Sequence, residues 1–363
     1  MKLQSLLACG MYASLAFTGA VSTVHAEDGL YRQHNLVSDG FVPADHTDLN
    51  LVNAWGIAFN PFGFVWVADN GTGVSTLYDG AGNAQALVVQ IPTPTGAGGG
   101  NPTGIVFNAS SGFVMTQAGV SGPSRFLFAT EDGVIAGWAP NVDGTHALVA
   151  VDNSMHTGAI YKGLALSAGG SGQLLYAADF HNGRVDVFDS AFQPATLPTG
   201  AFTDRHLPSN FAPFGIQAIG GDIYVTYAKQ DANRHDEIAG PGLGYVDVYD
   251  PNGHLLHRVA SRGNLNAPWG VALAPAGFGR FSNSVLIGNF GDGRINAYEP
   301  VFRFPLGSLR GQDHRPIQID GLWGIAFGSG SAGQPVNTLF FAAGPAGESH
   351  GLYGQLDAVN DDD

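Results

Sequence analysis

One short phrase recurs six times along the chain, and it limits the fold more than any other feature. A polar or small residue leads through a bulky position to a glycine, and the glycine opens an apolar run. It reads Asn53-Ala54-Trp55-Gly56-Ile57-Ala58-Phe59 at first and Gly321-Leu322-Trp323-Gly324-Ile325-Ala326-Phe327 at last. Between them stand the copies around Gly104, Gly163, Gly215 and Gly270, so successive glycines lie 48, 59, 52, 55 and 54 residues apart. Each unit continues with a second apolar run (65–69, 126–130, 174–179, 223–227, 285–289 and 339–343) and a third (73–79, 133–138, 183–189, 244–250, 293–299 and 351–357). Several add a fourth, as at 86–91, 147–151 and 255–259. About fifty residues per copy and four short strands in each define a β-propeller. The expected fold is therefore all-β, a six-bladed propeller with four antiparallel strands per blade.

The last unit stops at Asp357 without a fourth strand, while residues 31–37 precede the first unit and have no place in it. The economical solution is that residues 31–37 close the ring on the last blade. Composition agrees. Gly and Pro together make 73 of 363 residues and charged residues only 12%, as a chain of turns and short strands requires.

Residues 1–26 read as a signal peptide: Lys2, an apolar stretch from Leu6 to Val21, and Val24-His25-Ala26 as a cleavage site before Glu27. Residues 27–358 form one propeller domain and 359–363 an acidic tail. The expected location is secreted or periplasmic. The lone cysteine, Cys9, falls in the leader, so the mature chain has no thiol for disulfides or thiolate metal sites. No later segment is apolar enough to span a membrane. Removing residues 1–26 takes away Lys2 and no acid, leaving 14 basic against 30 acidic residues. Such a surface repels nucleic acid and anionic membranes and suits cations. A monomer is expected.

The phrase Ala178-Asp179-Phe180-His181-Asn182-Gly183-Arg184-Val185 resembles the repeat of NHL-type six-bladed propellers. Over its whole mature length the chain is similar to a family of secreted bacterial propellers of unassigned function, through Leu51-Val52-Asn53-Ala54-Trp55-Gly56-Ile57-Ala58 and Trp66-Val67-Ala68-Asp69-Asn70. Some members carry an exosortase sorting tail; this chain ends in three aspartates instead. The resemblance implies fold and export and leaves activity open.

Strand alternation places the approach to each first strand and the link between strands two and three at one end, the top. Seven histidines fall in these loops: His46, His156, His181, His206, His235, His314 and His350. Imidazoles gathered over one channel would suit Zn2+ or Cu2+, although no tight ligand spacing occurs. Asn53, Asn101, Asn210, Asn266 and Asp320 stand three to five residues before blade glycines, and such oxygen donors around a ring suit Ca2+. That geometry resembles the channel metal of calcium-dependent lactonases and organophosphate hydrolases. Side-chain capping of each turn explains the same residues.

Trp55, Phe214, Trp269 and Trp323 precede their glycines, either as a packing layer or as a stacking wall for a flat ligand. Lys162 holds that position in the third blade, where an ammonium either finds a carboxylate, with Asp179 or Asp152 as candidates, or has its pKa shifted downward. The loop 228–243 in blade four is far longer than a hairpin needs and carries the densest charge cluster, so it either gates the top or is a surface excursion.

The expected function is an exported propeller that binds a small ligand, glycan or protein at its top face, with a channel metal ion as an optional component. The first alternative is a calcium-dependent hydrolase of lactones or esters, with Asn53, Asn101, Asn266 and Asp320 as metal ligands and His181 or Lys162 as catalytic groups. The second is a His-metal lyase or oxidase. Candidate ligand-binding residues are His46, His156, Asp179, His235, Trp55, Trp269 and Trp323.

Overall fold

The computed structural model describes residues 29–169 and 172–359, and the leader 1–26 lies outside them, as does 360–363 of the tail. Six antiparallel sheets stand around one axis. Their inner strands are Ala54–Phe59, Pro102–Phe107, Tyr161–Gly169, Phe211–Ile219, Pro268–Leu273 and Leu322–Phe327. Each pairs with the second strand of its own blade and packs against the inner strand of the next.

The repeated glycines explain why the ring can close. A Cβ on Gly56 would sit 2.5 Å from the Thr103 carbonyl oxygen, on Gly104 2.2 Å from the Leu164 nitrogen, and on Gly163 3.1 Å from the Phe214 oxygen. On Gly215, Gly270 and Gly324 it would meet the carbonyl oxygens of Trp269, Trp323 and Trp55 at 2.0, 2.7 and 2.6 Å. Each blade's backbone thus occupies the space a side chain on its neighbour would need, and the last contact returns to the first blade.

The first strand, Tyr31–Ser38, pairs antiparallel with the last, Leu352–Ala358, in the register Tyr31↔Ala358 to Ser38↔Leu352. Closure by residues 31–37 is therefore present, and it extends through Val359, whose N–H donates to the Leu30 carbonyl. Six apolar clusters fill the seams between neighbouring blades, and a seventh fills the axis. Among the described residues no helix is long and apolar enough to cross a membrane.

Four details depart from four strands in every blade, one of them the short strand Glu237–Ile238 added to blade four. Blade three has three strands among the described residues, because Pro194, Pro198 and Pro208 deprive the following segment of N–H donors for a fourth. Blade six has five, His46–Thr47 adding parallel to Tyr31–Ser38. Blade two carries an extra hairpin, Val114–Gln117 with Val120–Pro123, between its first two strands.

Candidate functional site

The side chains that precede the glycines converge on the axis. Trp55 stacks on Trp323 with centroids 3.5 Å apart, and Trp269 sets its edge toward both at 6.2 and 5.9 Å. Phe290 stacks on the other side of Trp323 at 4.1 Å, and Phe214 with Phe180 completes the layer. Trp55 and Trp323 are almost fully buried. The bore is thus plugged by aromatic rings, and a ligand at the top meets a floor instead of a tunnel.

The indole N–H groups tie this floor to the polar layer. Trp323 Nε1 donates to Asn53 Oδ1 at 3.2 Å and Trp269 Nε1 to the Lys162 carbonyl at 2.8 Å, while Trp55 Nε1 is buried without a hydrogen-bond partner among the described residues. Asn53, held at φ +49°, donates from Nδ2 to Asn70 Oδ1 (3.1 Å) and to Glu348 Oε2 (2.9 Å). Asn70 Nδ2 in turn reaches Glu131 Oε2 at 2.8 Å. Asn70 and Glu131 occupy the same place in blades one and two, directly after strand two, where blades three and five carry Phe180 and Phe290. One side of the mouth is therefore polar and the other aromatic.

Lys162 sits at the centre. Its side chain is 2% exposed, its Nζ lies 2.5 Å from Glu131 Oε1 and 3.2 Å from Asp236 Oδ1, and it stands 5.2 Å from the Trp55 ring centroid. The anticipated partners were wrong. Asp152 accepts from Ser154, and Asp179 from Asn182 and the Ile160 N–H. The reason is reach across blades: Glu131 comes from blade two and Asp236 from the long blade-four loop, whose Glu237–Ile238 pairs with Lys229 and Gln230. That loop folds over the mouth.

Burial alone would push the Lys162 pKa down, but the charges of Glu131, Glu237 and Asp236 win and hold it above its usual value. Lys162 is therefore an ammonium, unsuited to act as a neutral amine nucleophile or base. Burial raises Glu237 to about 8, against the pull of Lys162, so it is protonated at neutral pH. Burial likewise raises Glu348, with the Asn53 amide opposing it. For Asp236, burial is outweighed by the His235 hydrogen bond and the Lys162 charge, which lower its pKa and keep it ionised.

The remaining sequence candidates are dispersed. His235 is in the cluster, with Nδ1 2.7 Å from Asp236 Oδ1. His181 lies at its edge: Gln230 Nε2 donates to the carbonyls of Phe180 and His181, and His181 Nδ1 is buried without a partner among the described residues. His46 is on the outer edge of blade six against the Ala81 carbonyl, His156, His206 and His314 are exposed on separate turns, and His350 pairs with Asp39. The seven histidines do not meet over the axis.

The oxygen ring is also engaged locally. Asn53 Oδ1 accepts from Trp323, Asn266 Oδ1 accepts the Gly240 N–H at 2.6 Å, and Asp320 Oδ2 accepts the Ala346 N–H at 2.8 Å. Asn101 donates from Nδ2 to the Asn70 carbonyl at 3.4 Å. Among the described residues, the set of His and carboxylate atoms near enough to share an ion is Glu131, His235 and Asp236, within 4.8 Å of one another. Glu131 and Asp236 are the oxygens that Lys162 already bridges. Glu131, Glu348 and Asn70 were readable as top-loop residues, but only the common position of Asn70 and Glu131 directly after strand two marks those two as axial.

The structure defines a six-bladed β-propeller with an aromatic axial plug beneath a lysine–carboxylate mouth. No family model matches the chain. It is 34% identical over 327 residues to uncharacterized protein R648 of Acanthamoeba polyphaga mimivirus, covering 88% of this chain and 78% of that protein. It is also 34% identical over 303 residues to uncharacterized protein L690 of the same virus, covering 82% and 78%. The chain belongs to the family of these viral proteins. Among solved structures it is similar to soluble aldose sugar dehydrogenase from Escherichia coli (TM-score 0.55, 11% identity, 91% of this chain and 100% of that one). It is also similar to virginiamycin B lyase from Staphylococcus aureus (TM-score 0.51, 14% identity, 91% and 99%). At these identities the likeness shows the fold alone.

Proposed function

We propose that the chain is an exported binding propeller whose top mouth receives a polyhydroxylated ligand, a glycan or polyol, under the blade-four loop. The observation that carries this reading is the Lys162 bridge. Its ammonium is buried, yet Asp236, one of its two carboxylate partners, is 63% exposed and sits on the long loop. When the loop lifts, Lys162 loses one of its two acceptors and Asp236 its donor, while Glu131 and Glu348 keep Asn70 and Asn53 and stand ready to accept further hydrogen bonds. A hydroxyl group supplies both at once. The aromatic plug gives such a ligand an apolar floor. Engagement of Asn53, Asn266 and Asp320 by neighbouring groups supports binding over calcium-dependent hydrolysis.

Calorimetric titration of residues 27–363 with a panel of monosaccharides, oligosaccharides and polyols tests this. At least one should bind, and Lys162→Met should weaken it tenfold or more. If no polyol binds, or if Lys162→Met binds as tightly as the parent, the reading fails.

Glu131, His235 and Asp236 favour a second reading, a divalent metal held at the same place. Lys162 competes with it for both carboxylates, so Lys162→Met should then raise the metal content found by elemental analysis after dialysis. A metal-free protein and a metal-free variant dismiss it. Export rests on residues 1–26 and on the resemblance to secreted NHL-type propellers. A chain beginning at Glu27 outside the producing cell supports it, and retention from Met1 in the cytoplasm overturns it.

A further inference from the structure

A second cavity lies far from the mouth, at the opposite end of the seam between blades one and two. It has a volume of about 730 Å³, within the range of small-molecule sites. Its floor is aromatic: Trp66 stacks on Phe126 at 4.0 Å and tilts against Trp138 at 4.7 Å. Phe62, 85% exposed, stands on its rim in the first turn of blade one.

The cavity is open because of the extra hairpin in blade two. That excursion turns away toward blade three, where the Phe113 N–H donates to the Ser190 carbonyl at 2.6 Å and the Phe113 ring meets Phe192 edge-on at 5.2 Å. It therefore leaves the neighbouring seam uncovered. Blade one contributes only the short strand Val89–Gln90 as its fourth, so nothing covers the seam from that side either.

Arg125 supplies the polarity. Its backbone is fixed by the Trp138 carbonyl (2.7 Å) and by the Asn108 N–H, and its half-buried guanidinium lines the cavity. Nη1 donates to the Ser110 carbonyl at 3.2 Å, and among the described residues no Asp or Glu oxygen lies within 4.0 Å of it. Ten of the twelve arginines have no carboxylate within 4.0 Å among the described residues; what sets Arg125 apart is that its guanidinium lines an aromatic cavity. The other polar lining groups are the neutral amides of Asn60 and Gln85.

We propose that this cavity binds an amphipathic monoanion: a flat, apolar body between the aromatic walls, with one carboxylate or sulfonate on Arg125. The planar guanidinium matches such a head in a two-point hydrogen bond. The site is separate from the lysine–carboxylate mouth and does not depend on its function.

A matched pair of fluorescent probes tests both halves of the claim: 8-anilinonaphthalene-1-sulfonate and its neutral parent, N-phenyl-1-naphthylamine. The intact protein should bind the sulfonate saturably at one site. Arg125→Gln should weaken the sulfonate about tenfold, the effect of one charge-assisted contact, and change the neutral probe less than twofold. Ala109→Trp, an exposed lining position, should fill the cavity and abolish both. Lys162→Met should change neither. Unaltered sulfonate binding in Arg125→Gln, or unaltered binding of both probes in Ala109→Trp, overturns the proposal, as does the absence of saturation. Melting temperatures of the variants confirm that they are folded.

Discussion

Replacing Lys162 with methionine tests whether the axial ammonium is held as the geometry indicates. Methionine keeps a straight apolar stem of similar length, so the loss is chiefly one of charge. Breaking a buried ion pair by removing one partner costs about 3–5 kcal/mol, because the other charge stays behind uncompensated. The two arms are unequal here. The Asp236 side chain is 63% exposed, so water screens that arm and it contributes below about 1 kcal/mol. Glu131 is 17% exposed and carries most of the penalty, but it keeps the Asn70 amide on Oε2. The estimate therefore sits at the low end, about 3 kcal/mol for Lys162→Met. Glu131→Gln in the same chain removes the stranded charge and should restore most of the loss, a coupling of about 2 kcal/mol. Urea denaturation of the parent, the two single variants and the double variant measures it. A loss below about 1 kcal/mol, or strictly additive single effects, would refute the buried pair.

Three further outcomes follow from the coordinates. Gly215→Ala drives a Cβ to 2.0 Å from a backbone oxygen and should cost about 3 kcal/mol, whereas Gly163→Ala, at 3.1 Å, should cost below about 1 kcal/mol; urea midpoints in the reverse order contradict the ring packing. Glu237 has a folded pKa of about 8 against an ordinary 4.5, so the folded state holds its proton where the unfolded state has lost it, and stability falls as pH rises through that interval. Glu237→Gln should therefore be more stable than the parent at pH 8 and nearly equal to it at pH 5, as read by denaturation at both values. Ring closure brings His34 opposite Gln355, so cysteines at these two positions in residues 27–363, which otherwise lack thiols, should cross-link on oxidation and shift mobility on a non-reducing gel.

The fold was legible because its constraints are local and repeated. A glycine between a bulky residue and an apolar run is needed wherever two inner strands approach within the width of a side chain, and at five of its six positions a Cβ would fall within 3.0 Å of the neighbouring backbone. The spare strand at the start of the chain and the strand missing at its end likewise had one sensible use together. The three-stranded blade three was not anticipated, although Pro194 and Pro198 stand where N–H donors of a fourth strand would be.

The site was less legible because its contacts join residues from different blades. Lys162 and Glu131 are 31 positions apart, and Lys162 and Asp236 are 74. Sequence spacing says which end of a blade a turn occupies but not how far its side chain reaches toward the axis. That is why Asp179, at the end of the adjacent strand of the same blade, looked like the natural partner. The asparagines were assigned to the correct end, yet they serve each other, the indoles and the turns: Asn53 alone engages Trp323, Asn70 and Glu348. A side chain that caps a turn and one that ligates an ion have the same one-letter signature.

Lys162 is held as an ammonium among carboxylates at the mouth of the ring. Residues 27–363 contain two lysines, Lys162 and Lys229, so a protein labelled with 15N at lysine Nζ yields two signals that Lys162→Met distinguishes. Following them with pH tests this directly. The Lys162 ammonium should deprotonate above its ordinary value of 10.5, and Glu131→Gln should bring its midpoint down. A Lys162 midpoint at or below 10.5, unmoved by Glu131→Gln, would contradict the account.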